Sequence, residues 1–510
     1  MVTSQTADVV VVGNGVLGLS VAVEIALRAP KTRVAVVGPT GRPMAATAAA
    51  GAMLNCFGEV TRYTDRHPVT RARFALAREA LDAWPGWMET LADLAGPAVG
   101  KALRASYRTG TFVLLGARSG HVAADNFEAM RAAAERYDEP YELLGAADVD
   151  GLAPRPDARP LRVLHLHREG AVDARAVLAA LEAAASRLGV RLVSGTVREL
   201  LAGAGAVRGV RLDGDGDTLT AGTVVLAAGA AGSALAETVL PPGAVPPMLF
   251  GTGASLLVQR TTTSGPGARQ VMRTPNRAAT CGLHVVPMAD DGHQYIGATN
   301  VITTEPITGA ELGSCHSLMR QVCEQFDHDL AFARVQRLMV GARPVPLDCF
   351  PLLGPCSLSG LVFATGTYRD GFHCSPALAP RLAATVLDPA VQDTDLQWFT
   401  PERMPIAVLT PDEALTDTVD HAVDTMSEQG MQLPFWVDGT PLREWVRRRI
   451  ERLHEELGQP LALAPELIYP QFLAPKSTDS SCAATRLRRY LDAARTHYAP
   501  RLDAPARVSC

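Results

Sequence analysis

The chain has almost no lysine: of its 48 basic side chains only Lys31, Lys101 and Lys476 are lysines, and the rest are arginines. No lysine-rich stretch exists to hold a phosphate backbone or an anionic bilayer, and the formal net charge is −5. Neither nucleic acid nor membrane is therefore expected as a partner. No apolar run reaches the ~18 residues of a membrane span; the Ala/Gly-rich run from Val224 to Ala236 is shorter and contains Ser233. Cys56, Cys281, Cys315, Cys323, Cys349, Cys356, Cys374, Cys482 and Cys510 are an odd set without C-x-x-C spacing, which fits reduced thiols and a cytoplasmic location better than a disulfide framework. The start, Met1 to Asp8, lacks a charged n-region, so secretion is not expected. What remains is an ordinary globular composition, 47% hydrophobic and 20% charged over 510 residues. That length exceeds the ~250 to 300 residues one core serves, so several domains are expected.

Val9 to Val12 is an unbroken apolar run closed by glycine, a helical pattern follows from Val16 to Arg28, and Val34 to Val37 is a second apolar run. This order predicts strand, helix, parallel strand. Arg71 to Leu94 and Ala123 to Arg136 carry helical spacing. Asp173 is placed to cap a helix using Val177, Leu178, Leu181, Ala185 and Leu188, with Gly189 at its end and a strand from Arg191. Val207 to Leu212 and Thr218 to Thr220 flank the hairpin signal Asp213-Gly-Asp-Gly216, and Thr223 to Leu226 returns as a buried strand. Residues 241 to 340, rich in Thr, Gly and Pro, are expected to be mostly β, and Leu361 to Ala364 is the last buried strand. Beyond residue 395 two amphipathic helices are expected, around Leu415, Val419, Ala422 and Met426 and around Leu442, Val446, Ile450, Leu453 and Leu457.

Gly13-Asn-Gly15-Val-Leu-Gly18 follows the first strand and opens the first helix, the setting in which a glycine turn brings backbone N–H groups and a helix N-terminus to a pyrophosphate. The acidic residue that would close the second strand is missing; Gly38 and Pro39 stand there, which disfavours NAD. Two further strand-to-glycine transitions, ending at Gly229 and Gly366, imply a cofactor domain assembled from three separated pieces. His165 and His167 alternate on a presumed strand without a third ligand at metal spacing, so no metal is expected. Arg443, Arg447, Arg448, Arg449 and Arg452 are most simply a solvated helix face.

From Asp8 to about Pro389 these segments resemble the D-amino-acid oxidase superfamily of flavoproteins, most closely its glycine oxidase branch. The likeness rests on the first glycine turn, Thr47-Ala-Ala-Ala-Gly51, Gly170-Ala-Val-Asp173, Gly195-Thr-Val197, His284-Val-Val-Pro287 through Tyr295-Ile-Gly-Ala-Thr299, Gly341-Ala-Arg-Pro344 with Pro351-Leu-Leu-Gly354, and Tyr368-Arg-Asp-Gly371. The resemblance implies FAD. Its contacts would be Gly13, Gly15, Val16, Leu17 and Gly18 in the first turn, and Ala45, Ala46, Thr47, Ala50, Gly51 and Ala52 after the second strand. Val197, Gly229 and the loop Thr367, Tyr368, Arg369, Asp370, Gly371, Phe372 and His373 would complete them. No cysteine matches the position that tethers flavin in monomeric sarcosine oxidase, Cys349 being displaced, so the FAD is expected to be non-covalent.

On the substrate side, the resemblance makes Arg343 the partner of a substrate carboxylate and turns Arg369 toward the substrate. His284 stands where glycine oxidase has tyrosine, introducing a group that titrates near neutral pH, and Asn300 stands where it has methionine. No catalytic side chain is assigned. The implied activity is oxidation of a C–N bond in an amino acid or related carboxylated amine, with hydride passing to flavin N5, an imine product, and O2 reduced to H2O2. A dehydrogenase with another acceptor, or a catalytically weak flavoprotein acting through its helical tail, are the alternatives, and homo-oligomerisation is left open. The expected architecture is α/β. A Rossmann-like FAD-binding domain (1–60, 160–240, 340–395) is interleaved with a mixed-sheet α+β substrate domain (61–159, 241–339), and a helical extension follows (396–510).

Overall fold

The strand Val9–Val12 is all valine because both of its faces are covered. Val9 and Val11 pack with the helices Val16–Arg28, Ala174–Arg187 and Ser375–Leu387. Val10 and Val12 pack with Val197, Leu200, Val207 and Leu219 on the other side. The strand lies within a six-stranded sheet ordered Leu352–Pro355, Leu361–Thr365, Thr223–Leu226, Val9–Val12, Val34–Gly38 and Arg191–Ser194. All neighbours run parallel except the Leu352–Pro355 edge. A four-stranded sheet of Ser4–Thr6, Thr218–Thr220, Ala206–Leu212 and Val197–Gly203 covers the face opposite the helices. The computed structural model describes residues 4–214, 217–261, 267–277, 282–290, 292–434, 436–458, 462–467 and 479–502.

Local signals translate directly. Asp173 Oδ1 accepts the Arg175 N–H at 2.8 Å and so caps the helix Ala174–Arg187. Gly189 beyond its end has φ +80°, the left-handed conformation that glycine adopts without steric cost. Ala206–Leu212 and Thr218–Thr220 pair antiparallel as the hairpin signal predicts, although Asp215 and Gly216 lie outside the described residues, as does Cys281.

The second large sheet is mixed and nine-stranded. Its spine is the antiparallel pair Met248–Gln259 and Arg334–Pro346, in a register that sets Gly251 opposite Arg343. Its far end runs through Arg108–Gly116 and Pro160–Ala171 to the edge strand Tyr141–Leu144. Residues 241 to 340 are not strand throughout, because Leu312–Gln325 is a helix. Only Cys315, Leu318 and Val322 form its buried apolar stripe, too short a signal to stand out among polar neighbours.

The two helices expected after residue 395 are Pro411–Glu428 and Thr440–Leu457, and a third, Asp479–Leu502, follows. Leu415, Val419, Val446, Ile450 and Leu453 pack together with Leu249, Ile302, Val345 and Tyr368, so the extension closes over one face of the long strand pair. Asp417 fastens it, accepting from Arg62 Nη2 at 2.5 Å and Tyr63 Oη at 2.8 Å. Among the described residues no helix is long and apolar enough to cross a membrane.

Arg403 anchors the start of the extension. Its guanidinium meets Asp348 through Nε and Nη2, both at 3.0 Å, and donates to the carbonyls of Pro351, Thr400 and Phe350 at 2.8 to 2.9 Å. The Asp348 side chain is fully buried. Replacing Arg403 with Ala strands that carboxylate, and we expect a stability loss of ~3–5 kcal/mol in urea unfolding. A loss below ~1 kcal/mol would place the anchor elsewhere.

Candidate active site

The parallel strands deliver their C-terminal ends to one crevice, where the turn Gly13 to Gly18 lies. Glycine is obligatory there. A Cβ on Gly13 (φ +120°) would sit 2.1 Å from the Ala227 carbonyl oxygen, and one on Gly18 would sit 2.1 Å from that of Gly13. The chain thus crosses itself at backbone contact, and the helix Val16–Arg28 starts at the crevice without a side-chain cap from Gly15. Thr47 Oγ1 takes the Val16 N–H at 3.2 Å, and the first turn presents its dipole to a cavity of about 440 Å³.

All the residues that the resemblance assigns to the cofactor line this one cavity, from Val197 at one end through Ala45 to Ala52 to Thr367–His373. The loop after the second strand is held by the mixed sheet: Tyr295 Oη and Ser255 Oγ donate to the Ala49 carbonyl at 2.8 and 3.1 Å. The last loop is gripped by the helix Pro68–Ala95. Trp84 stacks on Phe372 at 5.8 Å and donates to the His373 carbonyl at 2.7 Å, while Arg73 Nε meets Asp370 at 2.5 Å. Arg42, Met44, Ala52 and Tyr368, all on the cavity wall, are non-glycine residues at φ between +46° and +58°. Such backbone persists only where the surroundings over-determine it. At the place of the missing acid, the Asn14 side chain lies over Gly38 and donates to the Pro39 carbonyl at 3.2 Å. Arg42 Nε reaches the Asn14 carbonyl at 2.8 Å.

The opposite end of the cavity is polar and charged. Arg343 Nη1 donates to the carbonyl of Thr299 at 3.1 Å and to Asn300 Oδ1 at 3.3 Å. Asn300 Nδ2 donates to Tyr368 Oη at 2.7 Å. Asn300 therefore sits behind Arg343, bridging it to the last loop, and is not on the cavity wall. His284 is on the wall, stacked on Tyr295, with Nδ1 2.9 Å from the Gly282 carbonyl. A carbonyl only accepts, so Nδ1 carries the hydrogen and Nε2 is left as an acceptor. Burial, aided by repulsion from Arg273 and Arg343, lowers the His284 pKa to about 4. The expected titration near neutral pH is thereby corrected: desolvation outweighs the Gly282 bond, and the ring is neutral at pH 7.

Glu59, Arg273 and Asn276, none of them foreseen in the sequence, complete this end together with Arg369. Glu59 lines the cavity and accepts from Arg273 Nη1 at 2.5 Å and Asn276 Nδ2 at 2.8 Å. Burial alone would raise its pKa, but Arg273, Arg369 and Asn276 outweigh it and hold the carboxyl down to about 2. Arg273 is fully buried beside His284 in the strand register. The only hint in the sequence was an arginine inside the apolar stretch Val271-Met-Arg273. Arg369 lies over the Tyr368 ring, with Nη1 3.4 Å from Asn276 Oδ1 and Nη2 3.8 Å from Glu466 of the extension. Cys349 is not on the wall, and among the described residues no cysteine is.

A glycine-walled cradle of the dinucleotide-binding class thus joins a pocket lined by Arg343, Arg369 and Glu59. The chain belongs to the family described as DAO: FAD dependent oxidoreductase, whose model matches residues 8–385. It is 28% identical over 389 residues to the bifunctional protein ThiO/ThiG of Trichormus variabilis, covering 75% of this chain and 53% of that protein. The chain thus spans about half the length of the curated relatives it matches. Among solved structures, glycine oxidase from Geobacillus kaustophilus superposes with a TM-score of 0.64 at 24% identity, over 78% of this chain and 99% of its own. Iminodiacetate oxidase from Chelativorans gives 0.64 at 19% identity, over 78% and 100%. These likenesses show the shared fold, and the cofactor of the family is FAD. The cradle fits it: a Cβ would fill the turn at Gly13 and Gly18, where backbone alone faces the cavity.

Behind the pocket, Glu169 accepts the N–H groups of Cys56 and Gly58 at 2.7 and 3.0 Å, and its buried Oε2 has no hydrogen-bond partner among the described residues. Burial pushes its pKa up to about 7. The folded state therefore binds the extra proton, and the stability linked to it is lost as pH rises through 7. Glu169→Gln keeps an accepting oxygen without the charge. We expect it to be more stable than the parent at pH 8 by ~1–3 kcal/mol, with the difference shrinking toward pH 5, in thermal unfolding at both values. A difference independent of pH would remove Glu169 as the cause.

Proposed function

We propose that the protein oxidises the C–N bond of an amino acid or related carboxylated amine to an imine and passes the electrons to O2, yielding H2O2. The observation that carries this reading is the pairing of cationic Arg343 with neutral, hydrogen-bond-accepting His284 at one end of the cavity. A planar guanidinium suits a carboxylate, and His284 Nε2 suits an amine N–H. Glu59, already matched by Arg273, brings no net repulsion against the carboxylate.

The Gly13 to Gly18 turn and Thr47 would hold the pyrophosphate, and Thr367–His373 the flavin ring. Bound FAD supplies the two-electron acceptor. The protein's part is orientation: Arg343, steadied by Thr299 and Asn300, sets where the carboxylate sits and hence where the adjacent C–H points. The substrate loses two electrons and two protons across its C–N bond, and water can hydrolyse the imine. His284, with a pKa near 4, remains an acceptor across the physiological range.

The extension modifies this pocket in our reading. Glu466 faces Arg369, and Leu463 and Leu467 are buried with Tyr368, so the tail covers the substrate side and takes up the charge of one arginine. Arg343 is then the carboxylate site.

The purified yellow protein, mixed anaerobically with D-, N-methyl and cyclic amino acids, should lose its flavin colour with at least one of them. Oxygen uptake on admitting air separates an oxidase from a dehydrogenase. Acid precipitation should release the flavin into solution. With the bleaching substrate, Arg343→Lys should raise KM about tenfold or more at unchanged flavin content, a loss of ~1.5–3 kcal/mol for a charge-assisted bond. Unaltered kinetics would move the carboxylate site. Glu466→Gln should lower KM for substrates bearing a second carboxylate, again with flavin intact. Kinetics within twofold of the parent for mono- and dicarboxylated amines alike would leave the tail without a part in selection.

A further inference from the structure

The mixed sheet brings together three side chains that have no part in the flavin site. His165 and His167 lie two apart on the strand Pro160–Ala171 and therefore on one face. Glu142, on the edge strand Tyr141–Leu144, is the register partner of His165. One ligand atom from each of the three falls within 4.8 Å of the others. We propose that Glu142, His165 and His167 form a binding site for a first-row divalent transition ion of the zinc type.

The site's donors and their surroundings fit such an ion. Two imidazoles and a carboxylate are a donor set that zinc takes, with a fourth position open to water. Bonds of ~2.1 Å make a tetrahedron with an edge of ~3.4 Å, so the ligand atoms, now within 4.8 Å of one another, would draw together by rotation of Glu142 and His167, both exposed. His165 Nε2 is buried and has no hydrogen-bond partner among the described residues, an orphaned donor-acceptor of the kind that native structures explain by a ligand or water. Gly110 has φ +89°, and a Cβ there would lie 3.0 Å from that nitrogen and 2.0 Å from Nε2 of Gln270, whose amide donates to the Thr109 carbonyl at 3.3 Å and borders the site. Phe112 stacks on the His165 ring at 4.3 Å and fixes its plane.

The ion would tie the short edge strand Tyr141–Leu144 to its neighbour, across a sheet edge whose Leu143 is half exposed. None of the three side chains lines the flavin cavity, so the ion would act as a structural clip.

The test uses the full-length flavoprotein, treated with a chelator, dialysed against zinc chloride and then against metal-free buffer, with metal and flavin analysed together. We expect about one zinc per chain, a higher Tm with zinc than without, and no displacement by excess magnesium. His167→Asn and Glu142→Gln, both at exposed positions, should each lose the zinc and the Tm increment while retaining flavin. Zinc at background level in the parent overturns the proposal. So does zinc retained undiminished in both variants, which would put the ion on other residues.

Discussion

Everything at the flavin end depends on one close contact, the crossing of the chain at Gly13, where only a hydrogen can stand against the Ala227 carbonyl. That contact lets the first helix begin at the mouth of the parallel sheet, with its N-terminal amides facing the crevice. Because Gly18 rests on the Gly13 carbonyl in the same way, the helix cannot slide along the strand. The strands ending at Leu226 and Thr365 finish beside it, so three stretches remote in the chain meet at a single point. Each would build only a glycine-rich turn alone; together they wall a cavity.

The mixed sheet reaches that point through backbone contacts. Gly341 leaves only 2.9 Å between a would-be Cβ and the Ala45 carbonyl oxygen, and Tyr295 and Ser255 both seize the carbonyl of Ala49. The strained residues Arg42, Met44, Ala52 and Tyr368 sit around this junction, where packing from two sheets holds them in place. Rigidity at the wall is what the orientation proposed for Arg343 requires.

Electrostatics in the pocket is decided by magnitude. Burial is the largest influence on both Glu59 and His284, yet the outcomes differ. Glu59 has two cations and an amide against it and stays ionised, whereas for His284 burial and the two arginines outweigh the Gly282 carbonyl and the Glu59 charge, and it stays neutral. The result is a pocket with a positive arm and an accepting arm side by side.

Features closed within a few residues were legible in the chain before folding: the valine run covered on both faces, the glycine turn, the Asp173 cap with Gly189 at the helix end, the amphipathic stripes of the tail, and through these the family. Such features follow from backbone geometry and periodicity, which local residue types dictate. Packing between remote segments set the pairing of Glu59 with Arg273, which are 214 residues apart, the placing of Asn300 behind Arg343, the neutrality of His284, and the approach of Glu466 to Arg369. It also supplied Glu142 to a histidine pair that alone had no third ligand. These depend on which strands and helices are packed as neighbours and on how much water that packing removes, and neither is written at any one position of the chain.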